Sequence, residues 1–320
     1  MSVTDFTQPI SPSENAEVLL VKVEALMFQA LRLDRRFNPS GPADARSAAA
    51  YHLQSGGQRV RARLALAGGL ALGLPVNDAL CIATCAELLH NASLVHDDIQ
   101  DRDSLRRGQP ALWSKFGTNT AICSGDYLLS AAYGVLCTFT QPVLLPAMLA
   151  LLHERTATAI DGQCADLTTR NDQPEGIANY IQIAKAKSGA LLSLPLELVL
   201  MASGRTEALS LARKACENFA VSYQIFDDLQ DATIDCESDS VSKGQPKCLN
   251  IVFILTNHNS PADAEKSVNS EAAAKDLGLK HLAICEAIAL QLPNGSGALL
   301  LDLSAQLRGM FVVVSSAECC

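Results

Sequence analysis

Two clusters of aspartates have the residue type and the spacing to bind a divalent cation. Both have the pattern Asp-Asp-x-x-Asp. The members are Asp97, Asp98 and Asp101 in the first cluster, and Asp227, Asp228 and Asp231 in the second. Side chains three or four residues apart share one face of a helix, and carboxylates held so close repel each other unless a cation lies between them. Oxygen ligands suit Mg²⁺, which proteins usually share with substrate phosphates.

Apolar residues at helical spacing predict a helix around each cluster. The first set is Ile82, Cys85, Leu89, Ala92 and Ile99, and the second is Ala215, Phe219, Phe226 and Leu229. A single cluster is also explained by a solvated acidic patch. Two copies, each with a Gln in the fourth place and each within an apolar helix, favour a shared metal-dependent function.

The residues around these clusters resemble the trans-isoprenyl diphosphate synthases, or polyprenyl synthetases. The shared motifs run in family order over roughly residues 50–255. They are Arg106-Arg107-Gly108-Gln109-Pro110, Trp113, Phe116-Gly117, Ala121-Ile122, Gly125-Asp126, Gly162-Gln163, Asp166-Leu167 and Lys187-Ser188-Gly189. The resemblance implies an enzyme that condenses an allylic prenyl diphosphate with isopentenyl diphosphate.

The resemblance also implies the architecture and the cofactor. We expect an all-α, single-domain isoprenoid-synthase bundle of roughly ten or more helices around a central cavity, with the two clusters on facing helices. The bundle would span residues 15–314, after a disordered leader at 1–14 and before a mobile tail at 315–320. The expected cofactor is Mg²⁺, about three ions per site, with Mn²⁺ as a substitute, and all six aspartates as metal ligands.

One substrate pocket is implied by the segment Gly56-Gly57-Gln58-Arg59-Val60-Arg61. Alone, it is also explained by a helix start with exposed arginines. In the family, GGKRxRP at this place binds the diphosphate of isopentenyl diphosphate. Here Gln58 replaces the family's Lys and Ala62 replaces its Pro, whereas Arg61 and His90 match.

Further substrate-binding residues are carried over from the family by position. Arg106 is expected on the allylic diphosphate and Arg107 on that of isopentenyl diphosphate. Lys187 is expected on the allylic diphosphate, Ser188 near the carbocation, and Gln224 on the face of the second cluster. The family's further phosphate-binding Lys matches either Lys243 or Lys247, in a loop that is shorter here.

In this family, catalysis depends on ionisation of the allylic diphosphate, which metal ions and cationic side chains assist. The expected catalytic residues are therefore Lys187, Asp97, Asp98, Asp101, Asp227 and Asp228. The resemblance also implies the product length, from the residues one turn before the first cluster. In the family, aromatic residues at this place stop growth of the prenyl chain early. Here they are Ala92 and Ser93, so we expect products of C20 or longer unless Tyr133 closes the tunnel.

Composition supports a helical protein and argues against several other classes. Hydrophobic residues make up 48% of the 320 residues and aromatic residues only 5%. The net charge of −9 argues against a nucleic-acid partner. The eleven cysteines show no zinc-ligand spacing, so we expect buried reduced thiols.

The cellular location and the oligomeric state are also expectations at this point. No signal peptide stands at the N-terminus, and the most apolar stretch, around 143–152, contains Pro146. We therefore expect no transmembrane segment and a cytoplasmic protein. The resemblance implies a homodimer.

Three alternative functions remain open from the sequence. The change at Gln58 leaves room for a class I terpene synthase-like enzyme that ionises a prenyl diphosphate without extending it. A partner subunit of a heteromeric synthase usually lacks aspartates that this chain has. A metal phosphohydrolase using His96 and Asp97 would leave Asp227 to Asp231 unexplained.

Overall fold

The structure is a computed structural model that describes residues 16–31, 44–169, 176–237, 249–257 and 265–314. Thirteen α-helices account for most of these residues, as the all-α prediction requires. Their bounds are α1 (Ala16–Ala30), α2 (Ala45–Gln54), α3 (Val60–Ala71), α4 (Val76–Asp101), α5 (Leu112–Phe116), α6 (Thr118–Leu136), α7 (Leu145–Thr169), α8 (Ile177–Ala184), α9 (Ala190–Ala202), α10 (Leu209–Glu237), α11 (Ile251–Asn257), α12 (Glu265–Ala289) and α13 (Ala298–Val314).

The remaining elements are short. Strands β1 (Leu105–Arg106) and β2 (Gln109–Pro110) form an antiparallel hairpin. Three-residue 3₁₀ turns occur at Pro142–Leu144, Thr206–Ala208 and Pro293–Gly295, and a π-helix occupies Lys185–Gly189 between α8 and α9. The leader and tail predicted at 1–14 and 315–320 lie outside the described residues.

The chain divides into two compact units, and the single domain over residues 15–314 stays a prediction. The first is Met1–Leu151 with Leu198–Gly204, and the second is Leu152–Glu197 with Arg205–Cys320. In the first unit, α4 packs against α1, α3 and α6. In the second, α10 packs against α8, α11, α12 and α13. Each aspartate cluster therefore lies on the central helix of its own unit.

Local sequence explains where several helices begin and what they bury. Asp44 is the N-cap of α2, and its Oδ1 accepts hydrogen bonds from the backbone N–H groups of Arg46 and Ser47. In α1, Leu19, Val23 and Met27 are buried and recur every four residues, so they share one face of the helix. Helix α4 is buried along most of its length, not on one stripe alone, which fits its central place.

Pro146 does not interrupt the apolar stretch at 143–152, contrary to our expectation. It lies in the first turn of α7, where its missing N–H costs no helical hydrogen bond. The helical stretch Pro142–Thr169 is consequently long and apolar enough to cross a membrane by length and composition. It also carries Arg155, which is buried and paired with Glu197, with 2.8 Å between Nε and Oε1. Such a buried ion pair is typical of a helix packed within a protein.

Thiol burial agrees with the prediction only in part. Among the described residues, Cys81, Cys85, Cys216 and Cys285 are buried free thiols. Burial raises the pKa of Cys81 and of Cys285 to about 11, so both remain protonated at neutral pH. The prediction was wrong for Cys123, Cys137 and Cys164, which are exposed.

Gly162 allows α7 to approach the π-helix closely. A Cβ atom at Gly162 would lie 2.3 Å from the backbone nitrogen of Lys187. We therefore expect Gly162→Ala to lower the free energy of unfolding by about 1–3 kcal/mol, because backbone would have to move. Urea denaturation measures this change.

Gly134→Ala is the matched control, since Gly134 also lies within a helix and its added methyl group meets no described atom within 4 Å. Alanine should raise the unfolding free energy there by about 0.5–1 kcal/mol through helix propensity. Equal effects at both glycines would contradict the close approach at Gly162.

Candidate active site

The first aspartate cluster ends α4 and divides its carboxylates between two environments. Asp97 and Asp101 are partly exposed and lie one turn apart on the same face. Asp98 is 0% exposed, because neighbouring residues point about 100° apart around a helix. Arg102 ends the helix in the left-handed conformation, with φ 58°. The cluster thus presents two carboxylates outward and one inward.

Arg106 on β1 neutralises the inward carboxylate. Its Nε donates to Oδ1 of Asp98 at 2.8 Å, and its Nη2 contacts the same oxygen. Burial raises the pKa of Asp98, and the hydrogen bond from Arg106 opposes that rise. The other oxygen, Oδ2, is buried with no hydrogen-bond partner among the described residues. Asp98 therefore fixes Arg106 beside the cluster and retains one oxygen for a further ligand.

Arg107 lies at the hairpin turn and folds back onto the paired glycines. It has φ 52°, its Nη1 contacts the carbonyl oxygen of Gly56, and the same nitrogen donates to Oγ of Ser55 at 3.3 Å. A Cβ atom at Gly57, which has φ 135°, would lie 2.6 Å from Nη2 of Arg107. Glycine is needed there both for the backbone conformation and for the space occupied by the guanidinium.

Positive charge gathers around two histidines in this first unit. Burial lowers the pKa of His90 well below its usual value, and the nearby Arg61 and Arg107 lower it further. Burial lowers the pKa of His52 to about 4, with smaller effects from Arg107 and Arg106. Neutral imidazoles and several guanidinium groups in one place are suited to an anionic ligand. We call this group, formed by His52, His90, Arg61, Arg106 and Arg107, the basic region.

Arg59 was not among the predicted site residues, and it is held by two acidic side chains in the same unit. It is buried, has φ 51°, and places Nε 3.1 Å from Oε1 of Glu24 and Nη1 3.6 Å from Oε1 of buried Glu87. Oε2 of Glu87 also accepts the backbone N–H of Ala62. Glu87 within the apolar part of α4 is a signal in the sequence that could have suggested a buried partner.

The other residues predicted for the first unit differ in exposure. Gln58 is exposed and Arg61 is partly exposed. Ala92 is buried, whereas Ser93 is partly exposed and its Oγ donates to the carbonyl oxygen of His90 at 2.8 Å. Tyr133 on α6 is partly exposed.

The second cluster lies on α10 and repeats the division between inward and outward carboxylates. Asp227 and Asp231 are accessible, whereas Asp228 is 1% exposed. Burial, with the charges of Asp228 and Asp231, raises the pKa of Asp227 to about 7. Burial also raises the pKa of Asp228 to about 6, against the effect of its hydrogen bonds. Such an acidic group favours a bound cation.

Asp228 joins three segments of the second unit. Its Oδ2 accepts hydrogen bonds from the hydroxyl of Tyr180 on α8 at 2.7 Å and from the N–H of Ile251 at 2.8 Å. Its Oδ1 accepts one from Nε2 of Gln224 at 3.0 Å, so the predicted Gln224 lies beside this cluster. The side-chain amide of Asn250 donates to the carbonyl oxygen of Asp228, and Oδ1 of Asn250 caps α11. Asp228 therefore positions the start of α11.

The predicted Lys187 and Ser188 lie in the π-helix. Such bulges are rare and frequently occur at functional sites. Nζ of Lys187 lies 2.6 Å from Oδ2 of Asp166, a carboxylate on α7 that is buried and was not predicted as a site residue. Gln163, in the same motif as Asp166, is also buried. An ammonium group is thus held in the second unit by a neighbouring acid.

The residues present fit a hard divalent cation shared with a ligand. Asp98 contributes a buried oxygen without a hydrogen-bond partner, and Asp227 belongs to an acidic group whose pKa values are raised. Within the described ranges, no three His, Cys, Asp or Glu side chains converge enough to hold an ion by themselves. In proteins, Mg²⁺ usually keeps several waters and is shared with substrate phosphates. The metal roles of the six aspartates remain predictions, as does the choice between Lys243 and Lys247, which lie outside the described residues.

Comparisons with known proteins identify first the fold and then the family. A decaprenyl diphosphate synthase from Rhodobacter capsulatus matches with TM-score 0.76 and 19% identity, over 92% of this chain and 96% of that one. A geranylgeranyl pyrophosphate synthetase from Geoglobus acetivorans matches with TM-score 0.75 and 21% identity, over 92% and 98%. The chain therefore has the all-α fold of isoprenyl diphosphate synthases.

The family is established by sequence. The polyprenyl synthetase model matches residues 43–253. A geranylgeranyl diphosphate synthase from Methanosarcina mazei is 27% identical over 203 residues, or 63% of each protein. The aligned stretch is thus less than two thirds of that relative's length. The chain belongs to the polyprenyl synthetase family, as the resemblance of its motifs predicted.

The low pKa of His52 predicts a pH-dependent stability. Folded His52 is neutral down to about pH 4, whereas an unfolded histidine takes up a proton near pH 6.5, so stability falls as the pH decreases through this window. Between pH 7 and pH 5, His52 should lower the free energy of unfolding by about 2 kcal/mol. We expect this part of the decrease to be absent in His52→Asn.

Urea denaturation at the two pH values measures this loss in the wild-type protein and in the variant. His153→Asn, on an exposed part of α7, is the control and should keep the wild-type dependence. A His52→Asn protein with the wild-type pH dependence would show that His52 is not held neutral.

Proposed function

We propose that the chain is a prenyltransferase that condenses an allylic prenyl diphosphate with isopentenyl diphosphate. The observation that carries this proposal is the repeated division of the aspartates. On both α4 and α10 the first and last carboxylates are accessible, and the middle one is buried and held by protein donors. Two such clusters suit one ligand with several negative charges, and a diphosphate is such a ligand.

The allylic diphosphate is assigned to the two aspartate clusters. Divalent ions, with Mg²⁺ as the proposed metal and Mn²⁺ as its substitute, would supply positive charge to the leaving diphosphate. Asp97, Asp101, Asp227 and Asp231 are the accessible carboxylates for these ions. Arg106 and Lys187 are the nearby cations, each held in place by a buried acid. Cations held in place before the reaction stabilise developing negative charge most effectively.

Isopentenyl diphosphate is assigned to the basic region of the first unit. Arg61, Arg107 and the neutral His90 provide donors, and guanidinium groups bind phosphate oxygens in pairs. Gln58 is exposed and removes one positive charge relative to the family pattern. The remaining guanidinium groups support binding without a lysine there. Nothing in the comparisons favours the non-extending, terpene synthase-like alternative.

The proposed reaction needs no side-chain nucleophile. The C1–O bond of the allylic diphosphate breaks, and its electron pair leaves with the diphosphate. The double bond of isopentenyl diphosphate then attacks C1, forming a carbon–carbon bond and a tertiary cation. Loss of a proton to the released diphosphate restores a double bond. Ser188 is proposed to lie near the carbocation, where apolar surroundings exclude water, and Gln224 on the face of the second cluster.

Product length and assembly complete the proposal. Small residues at Ala92 and Ser93 support products of C20 or longer. The family resemblance supports a homodimer and a cytoplasmic location, and light scattering of the purified protein tests the oligomeric state.

Activity with radiolabelled isopentenyl diphosphate tests the proposed function. With Mg²⁺ and geranyl, farnesyl or geranylgeranyl diphosphate in turn, we expect label in longer prenyl diphosphates, detected by chromatography after dephosphorylation. Asp97→Asn should lower turnover about a hundredfold or more, because a carboxylate is lost where charge must be stabilised. Asp302→Asn, an exposed acid on α13, should leave turnover unchanged.

Release of diphosphate from the allylic substrate without incorporation of label would contradict prenyl transfer. That result would support an enzyme that ionises its substrate without extending it.

Substitutions one turn before the first cluster should shorten the product. Ser93→Phe places an aromatic ring at a partly exposed position, and Ala92→Phe does so at a buried one. We expect the main product of either variant to lose at least one five-carbon unit, because the ring blocks chain growth. Melting temperatures identify overpacking, which is the larger risk at Ala92. An unchanged product spectrum in a folded Ser93→Phe protein would contradict this position for the tunnel.

A further inference from the structure

The hairpin of β1 and β2 carries both arginines that we assign to diphosphate groups. Each strand has only two residues, Leu105 is 63% exposed, and both residues of β2 are exposed. A two-stranded hairpin this short is not stable by itself in water. Contacts with neighbouring elements must therefore fix its position, and with it the positions of Arg106 and Arg107.

The two arginines are held in different ways. Arg106 pairs with buried Asp98, directly on the helix of the first cluster. Arg107 lies at the turn between the strands, and its guanidinium contacts Ser55 and Gly56, which follow α2. The position of Arg107 thus depends on how the hairpin packs against the end of α2.

Tyr51 on α2 makes a second contact with the hairpin. Its hydroxyl donates a hydrogen bond to the carbonyl oxygen of Pro110 on β2, at 3.0 Å. Its ring meets that of Phe116 edge to face, with 5.4 Å between the centroids. The Nζ atom of Lys115 lies 3.6 Å from the centroid of the Tyr51 ring. These ring contacts with α5 favour one orientation of Tyr51, with its hydroxyl directed at β2.

The two contacts lie on one side of α2. Tyr51 and Ser55 are four residues apart, a spacing that puts them on the same face of the helix. Tyr51 contacts β2 and Ser55 contacts Arg107 at the turn, so this face meets the hairpin at two points. Two contacts fix the orientation of a short hairpin, whereas one lets it pivot. Loss of the contact at Tyr51 should therefore displace Arg107, while Asp98 still holds Arg106.

We propose that Tyr51 is a positioning residue for the binding of isopentenyl diphosphate. Its hydroxyl holds the hairpin against α2 and so places Arg107 in the basic region, without contact between Tyr51 and the substrate. The proposal rests on the proposed function, in which Arg107 binds the diphosphate of isopentenyl diphosphate.

Tyr51→Phe removes the hydroxyl and keeps the ring. We expect KM for isopentenyl diphosphate to rise about threefold to tenfold, the range that corresponds to the loss of one neutral hydrogen bond. KM for the allylic diphosphate and kcat should stay within about twofold of wild type, because Asp98 still holds Arg106. Melting temperatures establish that the variant is folded.

Tyr127→Phe is the matched control. Tyr127 is also a partly buried tyrosine of the first unit, and its hydroxyl donates to a backbone carbonyl oxygen, that of Leu31, at 2.9 Å. The same chemical change is therefore made away from the hairpin, and both KM values should stay at wild type.

A double-mutant cycle gives a readout that a merely structural role would not produce. Arg107→Gln alone should raise KM for isopentenyl diphosphate, because a guanidinium donor is lost. If Tyr51 acts through Arg107, adding Tyr51→Phe to Arg107→Gln should change this KM by less than about twofold. An equal rise from Tyr51→Phe in both backgrounds would overturn the proposal. So would equal rises in KM for the two substrates, or a wild-type KM in folded Tyr51→Phe.

Calorimetry with isopentenyl diphosphate alone keeps this test separate from that of prenyl transfer. Without an allylic partner the compound binds without reacting, so its Kd can be measured in each variant. If the wild-type protein binds it but incorporates no label, prenyl transfer fails, and the Kd values still test Tyr51. A wild-type protein that neither incorporates label nor binds isopentenyl diphosphate would overturn both proposals.

Discussion

A carboxylate buried in an apolar helix must be neutralised or hydrogen-bonded, and this requirement organises both aspartate clusters. Asp98 and Asp228 are the buried members of the two clusters. Asp98 is compensated by the guanidinium of Arg106, and Asp228 by a tyrosine hydroxyl, an amide side chain and a backbone N–H. Unpaired burial of either charge would cost several kcal/mol, on the order of the stability of a whole domain. The helices therefore fold with these partners in fixed places.

The same requirement positions the accessible carboxylates of each cluster. Because adjacent helical residues point about 100° apart, an inward Asp98 turns Asp97 outward, and an inward Asp228 does the same for Asp227. The segments that supply hydrogen-bond donors to Asp98 and Asp228 are themselves positioned by these contacts. The hairpin that brings Arg106 to Asp98 also places Arg107 against Gly56 and Gly57, beside the basic region, and the contact with Asp228 sets the beginning of α11. The stability of each unit and the proposed substrate binding thus depend on the same few contacts.

Apolar periodicity predicted much of this structure, and tertiary contacts account for what it missed. The helices through Asp97 and Asp227 follow from apolar spacing and were confirmed. Which aspartate of each cluster points inward depends on distant partners such as Arg106 and Tyr180, so spacing alone could not decide it. The left-handed conformation of Arg59 and the π-helix at Lys187 are likewise set by packing, since arginine and lysine have no local preference for either. The motif resemblance predicted the site residues but not the contacts that position them.

The central claim is that both clusters hold one diphosphate through divalent ions. The most direct measurement is titration of a non-ionising allylic thiolodiphosphate, in the presence of Mn²⁺, into the wild-type protein and into Asp97→Asn and Asp227→Asn, with bound ions counted by electron paramagnetic resonance. The account predicts that each substitution, made in a different unit, weakens binding of the same analogue and reduces the number of ions bound with it. Wild-type affinity and ion count in either variant would contradict it.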